Sequence, residues 1–328
     1  MAEISIIIPV YNNAENIERL INSIKAQTFQ DFEVILINDG STDDSLERIE
    51  QEIKGDERFL AVNIENSGQA FARHFAFDSV TAPYTTFIDA DDYVKPEFLN
   101  HLYYNLIIYE ADLSVVNYEL NQNGRLVQMH ASEPMVVIEQ QDIPYEWIAA
   151  PHFDGFLWNK LFKTVYLQRI DWDVDYNLLE DVTLITRYLR FVQKVVYDSR
   201  ADYVYVRGNT TTINSPLLIT DWLAVDTVLA EMRQLIERDS DLKCLAVRRF
   251  DLTRFLYERA TPEDLVTYST QFWQLRQKIA EDNQLHYLQN LSHFDKLLKW
   301  GILSNQHIFR ILKLRGKLVE IKHWLNRK

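Results

Sequence analysis

Short β-branched apolar runs alternate four times with amphipathic helical patterns in the first hundred residues, and that alternation admits few folds. Ile4–Ile8 reads as a buried strand stopped by Pro9. Ile17, Leu20, Ile21 and Ile24 follow at helical spacing, behind an Asn12/Glu15 capping pattern. Glu33–Asn38 is a second strand broken by Asp39-Gly40, with a helix from about Asp44 to Ile53. Phe59–Ile64 is a third strand before a helix over Gln69–Val80, and Tyr84–Ile88 a fourth, leading to an acidic loop and a helix from Pro96 to about Glu110. This βαβα order predicts an α/β fold with a mostly parallel central sheet flanked by helices. Ligands then bind outside the carboxyl ends of the strands.

Beyond residue 110, Leu113–Tyr118, an Asn123-Gly124 turn and Leu126–Met129 read as a hairpin. A helix is expected near Asp181–Phe191, then two strands at Val195–Tyr197 and Tyr203–Val206. From about Pro216 the pattern is almost wholly helical, which divides the chain into an α/β domain over 1–215 and a helical region over 216–328. The single cysteine, Cys244, excludes an internal disulfide and suits a reducing cytoplasm. No run of 18 apolar residues predicts a membrane span, and no secretory signal is visible.

The net charge of −14 is unevenly spread. From Gly301 to Lys328 seven Lys/Arg stand against Glu320 alone, a local +6 that leaves −20 for the other 300 residues. So acidic a body argues against nucleic acid as a partner. The basic tail interleaves its charges with Ile308, Ile311, Leu312, Val319 and Trp324. It reads as a helix lying on an anionic membrane surface, or as one docking on its own acidic body or on a second copy.

Chemistry-bearing residues fall at consecutive strand ends. Asp89-Ala90-Asp91-Asp92 places three carboxylates in four residues after an apolar run. Such charges repel unless a cation intervenes, which points to a hard divalent metal shared with substrate phosphates; the other reading is an acidic cap for the helix that follows. Pro9-Val10-Tyr11-Asn12-Asn13 offers Tyr11 for stacking on a base. Asp39 would accept from a base imide, beside a Gly40 that permits close backbone approach. Asn66-Ser67-Gly68 precedes Arg73, a diphosphate clamp by chemistry. Each also has a plain reading as turn, N-cap or surface charge. The eight glycines never fall at GxGxxG or GxxxxGK[ST] spacing, so a nucleotide would have to be held by a metal and side chains.

Ile6-Ile7-Ile8-Pro9-Val10-Tyr11-Asn12, Val34–Asp43, Asn66-Ser67-Gly68 and Asp89-Ala90-Asp91-Asp92 together resemble the family 2 glycosyltransferases of the GT-A fold, in the branch that builds bacterial surface polysaccharides or glycoprotein glycans. Trp158-Asn159-Lys160-Leu161-Phe162 and the acidic pair Glu180-Asp181 extend the likeness to about residue 215. The resemblance implies inverting transfer from a UDP-sugar to a saccharide, lipid-linked or glycoprotein acceptor, with Mn²⁺ or Mg²⁺ as cofactor. Nucleotide-sugar binding falls in about 1–110 and the acceptor side in 111–215. By the same likeness Pro9, Tyr11, Asp39, Ser67, Arg73, Asp89, Ala90 and Asp91 contact the donor, and Asp91 with Asp89 holds the metal. Asp181 is then the general base and Glu180 its neighbour in positioning substrate, while Trp158, Asn159 and Lys160 meet the acceptor. His152 and Asp154 belong to the same polar–aromatic cluster, with His152 read as a structural or acceptor-contacting histidine ahead of a third metal ligand; Arg207 is a further diphosphate contact, in a lid over 207–215.

Two other functions fit parts of the pattern. A non-catalytic partner subunit of another glycosyltransferase would keep the nucleotide-sugar loops, and a nucleotidyltransferase would share a related sheet and metal. The expected place of action is the cytoplasm, with peripheral membrane contact or homo-oligomer formation through the C-terminal helices.

Overall fold

The computed structural model describes residues 2–122, 124–130, 134–172, 178–207 and 218–304. The tail from Arg310 onward and the lid expectation beyond Arg207 lie outside them. The first strand β1 (Ile4–Val10) is buried along nearly its whole length, and helix α1 (Ile17–Lys25) packs Ile17, Leu20, Ile21 and Ile24 on the same core. Next come β2 (Phe32–Asp39), α2 (Ser45–Glu52), β3 (Phe59–Ile64), α3 (Gln69–Phe77) and β4 (Tyr84–Phe87). The two-residue β5 (Tyr93–Val94) leads to α4 (Phe98–Ile108), and β6 (Leu113–Gln122) pairs antiparallel with β7 (Arg125–Gln128). Then follow β8 (Met135–Glu139), α5 (Ile143–Ala149), β9 (Lys160–Lys163), α6 (Thr164–Leu167), α7 (Glu180–Tyr188) and β10 (Lys194–Val206).

The strands form one sheet in the order β3-β2-β1-β4-β9-β6-β10-β5, with β7 added on β6 and β8 on β10. β3, β2, β1 and β4 run parallel, as do β6 and β10, while β9 is antiparallel to both β4 and β6. The order turns outward from β1 in both directions, so a crevice opens at the carboxyl ends of β1 and β4. Two readings of the sequence change. The two strands expected over 195–206 are one strand, β10, whose register against β6 shifts twice between Asp198 and Tyr203. The polar Asp198-Ser199-Arg200 stretch that looks like a break is a bulge, closed by Asp198 accepting from the Arg200 backbone and Asn105. The acidic loop does not cap α4: the cap position is Glu97, with no side-chain capping bond.

The chain separates into two compact units, residues 1–209 and 210–328. The second consists of α8 (Ile219–Gln234), α9 (Asp239–Arg259), α10 (Pro262–Thr267), α11 (Ser269–Gln284) and α12 (His293–Ser304) among the described residues. Trp222 and Tyr257 close on Phe272 with ring centroids 4.1 and 4.4 Å apart, which ties three helices through aromatic contacts. Among the described residues no helix is long and apolar enough to cross a membrane.

Candidate active site

The loops after β1, β2 and β3 are stitched to one another. Asn12, in the left-handed region at φ 47°, accepts the Thr42 backbone N–H on Oδ1 at 2.7 Å, and its own N–H bonds Ser41 Oγ at 3.0 Å. Asn12 therefore does not cap α1 as expected: the cap position is Asn16, which makes no side-chain capping bond. Asp39 is buried, and its two carboxylate oxygens accept the N–H groups of Ser67 and Gly68 at 2.7 and 2.9 Å. Asn66 donates Nδ2 to the Asp39 carbonyl at 3.0 Å. Gly40 sits at φ 66°, where a Cβ would stand 2.6 Å from the Asn66 backbone nitrogen, so this contact between loops requires glycine. Tyr11 is half exposed at the rim and Pro9 partly buried, with Ser67 exposed.

Beyond β4 the acidic loop is locked to β10. Asp92 is fully buried and accepts from Tyr203 Oη at 2.6 Å and from the Val206 N–H at 2.7 Å, while Asp89 N–H donates to Tyr203 Oη at 3.2 Å. Burial, then the charges of Asp89 and Asp91, hold the Asp92 carboxyl well above the usual carboxylate range. Ala90 is buried, whereas Asp91 points outward with its backbone oxygen taking Arg19 Nη2 at 2.6 Å. Surrounding protein and the Asp89 charge raise the Asp91 carboxyl too. Among the described residues it makes no ion pair.

Arg73, 2% exposed, joins the two acidic segments. Its Nη2 meets Asp89 at 2.8 Å; its Nη1 meets Asp181 at 2.8 Å and Glu180 at 3.6 Å. Burial opposes the guanidinium charge, but Asp181, Asp89 and Glu180 together raise its pKa. Glu180 and Asp181 form the first turn of α7, entered through Leu179 in the left-handed conformation at φ 61°. A non-glycine residue there stores strain directly beside the acidic pair. Gln69 Nε2 donates to Glu180, and Leu157 lines the same pocket as Asp181. Desolvation, with Glu180 and Asp89 adding, pushes the Asp181 carboxyl up to about 7 against the pull of Arg73. A pocket lined by Ala70, Arg73, Leu157, Trp172, Glu180, Asp181 and Leu184 lies against this junction. The structure thus brings Asp89, Arg73, Glu180 and Asp181 together from residues 92 positions apart in sequence, between Asp89 and Asp181.

Other expected contacts are placed differently. Trp158, Asn159 and Lys160 are buried at 2, 1 and 0% exposure, which removes their side chains from any open acceptor surface. Trp158 stacks on Tyr203 at 4.2 Å; Asn159 donates to the Val116 carbonyl at 2.7 Å. Lys160 Nζ donates to the Phe156 carbonyl at 2.6 Å and to Asn159 Oδ1 at 2.7 Å, and burial pushes its ammonium down to about 7. They are polar residues that satisfy one another inside the sheet. His152 pairs with Glu146 at 2.7 Å rather than with the acidic loop. Leu157 and Trp172 at the junction carry no sequence signal, since an apolar residue in a run of apolar residues announces only core.

Among the described residues no group of three or more His, Cys, Asp or Glu is arranged to hold a metal alone. Asp91 nonetheless makes no ion pair among the described residues and lies beside Asp89, which shares its charge with Arg73, and Mg²⁺ or Mn²⁺ needs only one or two carboxylates where substrate phosphates complete its shell. The donor set fits such an ion.

Residues 5–173 of the 328 match the profile described as glycosyl transferase family 2. The chain belongs to this family. Its family 2 portion is similar to glycosyltransferase GlyA of Streptococcus pneumoniae serotype 4, 29% identical over 62% of this chain and 30% of GlyA. It is also similar to a teichoic acid poly(glycerol phosphate) polymerase of Staphylococcus epidermidis, 31% identical over 60% of this chain and 27% of the polymerase. The chain therefore spans under a third of either relative. Among solved structures, residues 1–349 of S. aureus TarS in complex with UDP-GlcNAc match with a TM-score of 0.74 at 17% identity, over 97% of this chain and 92% of that one. That likeness shows the GT-A type fold, with its C-terminal helical region.

Proposed function

We propose that this family 2 glycosyltransferase moves a sugar from a UDP-sugar to an acceptor hydroxyl with inversion at the anomeric carbon. The observation that carries the reading is the Asp89–Arg73–Asp181 junction, which holds a donor-loop acid and a base of pKa about 7 on one guanidinium. A base is most effective when its pKa lies near the working pH. Asp181 takes the acceptor proton as the acceptor oxygen bonds to C1, and the electron pair of the breaking C1–O bond leaves with UDP. No covalent enzyme intermediate is needed. TarS, which shares the fold, binds UDP-GlcNAc, and that supports a UDP-linked donor here. Tyr11 at the rim would stack on the uracil, and Asp39 reads the base through lone pairs left over from Ser67 and Gly68. Asp91 and Asp89 would hold Mn²⁺ or Mg²⁺, which when bound neutralises the departing diphosphate. Sequence chemistry assigns Arg73 to the diphosphate; its ion pairs favour the work of orienting Asp89 and Asp181. The acceptor is a saccharide, lipid-linked or glycoprotein hydroxyl.

The test is release of UDP from a panel of UDP-sugars with Mn²⁺ or Mg²⁺ in the presence of acceptors, followed by the anomeric configuration of the product. Transfer with inversion, lost on Asp91→Ala and on Asp181→Asn, is the expected result. A retained configuration, or an Asp181→Asn enzyme as fast as the parent, would overturn the assignment.

A further inference from the structure

The segment that carries the buried Trp158, Asn159 and Lys160 runs past the proposed base. Leu157 lines the same pocket as Asp181, and Gly155 packs against Val182, so Asp154, three residues before Leu157, lies within about 11 Å of that pocket lining at full extension. Its carboxylate is held from one side only. Tyr118 Oη donates to Oδ2 at 3.0 Å, and His130 Nε2 meets the same oxygen at 2.9 Å. Among the described residues Oδ1 makes no hydrogen bond, and the side chain is 30% exposed. Burial works to raise the Asp154 carboxyl, but the His130 and Tyr118 bonds outweigh it and keep it ionised. Beside it lies an aromatic surface: half-buried Phe156 and Tyr205 lie within 28° of coplanar, with ring centroids 6.3 Å apart, both stacked on Trp158.

A fixed carboxylate with one open oxygen, next to near-parallel ring faces, is the chemistry that grips a pyranose, by accepting from a hydroxyl and stacking on its C–H face. The geometry points to an acceptor subsite in which Asp154 Oδ1 accepts from a hydroxyl of a neutral sugar lying on Phe156 and Tyr205, while Asp181 deprotonates the hydroxyl that is to be glycosylated. This subsite rests on the assignment of Asp181 as base. Its charge selects the acceptor class. Asp154, Glu180, Asp181 and Asp89 all present carboxylates here, and the cations between them turn inward: Arg73 to its three acids and Lys160 to Phe156 and Asn159. A polyol-phosphate chain would meet like charge, so the subsite accepts neutral saccharides and rejects phosphate-bearing polyols.

Saturation-transfer NMR on the full chain separates this from the donor assignment, because it reads acceptor binding without turnover. The ligands are a set of neutral oligosaccharides and an oligo(glycerol phosphate), each against wild type, Asp154→Asn and Phe156→Ala, with UDP affinity and thermal midpoint as controls on the fold. Wild type is expected to bind a neutral saccharide through ring C–H protons, with affinity falling about tenfold or more in Asp154→Asn, the scale of one hydrogen bond to a charged group, and severalfold or more in Phe156→Ala through loss of the stacking face. Phe156→Ala keeps the test decisive if Asp154→Asn unfolds by disturbing Tyr118. Equal binding by parent and folded variants, absence of any saccharide binding, or preference for oligo(glycerol phosphate) would overturn the subsite. Failure of the transfer chemistry shows elsewhere, as bound saccharide without UDP release.

Discussion

At the scale of single residues, one guanidinium organises the chemistry. Removing it with Arg73→Met leaves three part-buried carboxylates without a counter-charge, and such a broken pair costs about 3–5 kcal/mol; chemical denaturation should show a drop of that order. Asp181→Asn keeps the shape but cannot take a proton, so transfer should fall about 10²–10⁴-fold while UDP affinity holds. The pH dependence has a definite sign. Asp181 works as the carboxylate, so kcat/KM with acceptor should rise as pH passes about 7 and level off above it. Stability runs the other way. A carboxyl raised from its unfolded value near 4 favours folding while protonated, a contribution complete below about pH 4 and lost as pH climbs through about 7. A rate profile that falls across that range would remove Asp181 from the role of base.

At the scale of elements, the strands and loops at the crevice were the most legible part of the chain. Continuous Ile/Val runs mark strands buried on both faces, and Asp39-Gly40 and the acidic triplet mark where they end. The Gly40 position is a local check on this reading. Gly40→Ala places a methyl against the Asn66 backbone in a left-handed conformation, and calorimetry should register a loss of about 2 kcal/mol or more. Less could be read beyond Leu113. β5 has two residues and exists only because β10 pairs with it, so no local pattern reveals it. Asn159 and Lys160 look like a sugar-binding surface because sequence shows polarity but not the neighbours that satisfy it. The partnership of Asp154 with His130 and Tyr118 is equally invisible, assembled across β6 and the turn after β7.

At the scale of the molecule, the cleft lies within the first compact unit, 1–209, while the family match also ends inside it, at 173. Ligand linkage should therefore report on that unit. UDP at a hundredfold its Kd, with Mn²⁺ present, is expected to stabilise it by about 2.7 kcal/mol, and chelation should abolish the gain if Asp91 and Asp89 recruit the ion. A thermal shift indifferent to chelator would leave those two acids without their assigned role.

Loops that are already tied together have little left to freeze. With the amides of Thr42, Ser67 and Gly68 occupied by Asn12 and Asp39, an arriving nucleotide meets a rigid mould rather than a floppy one. Its association should carry a small ordering penalty, and deuterium uptake at those three amides should be slow before the nucleotide is added and nearly unchanged after it.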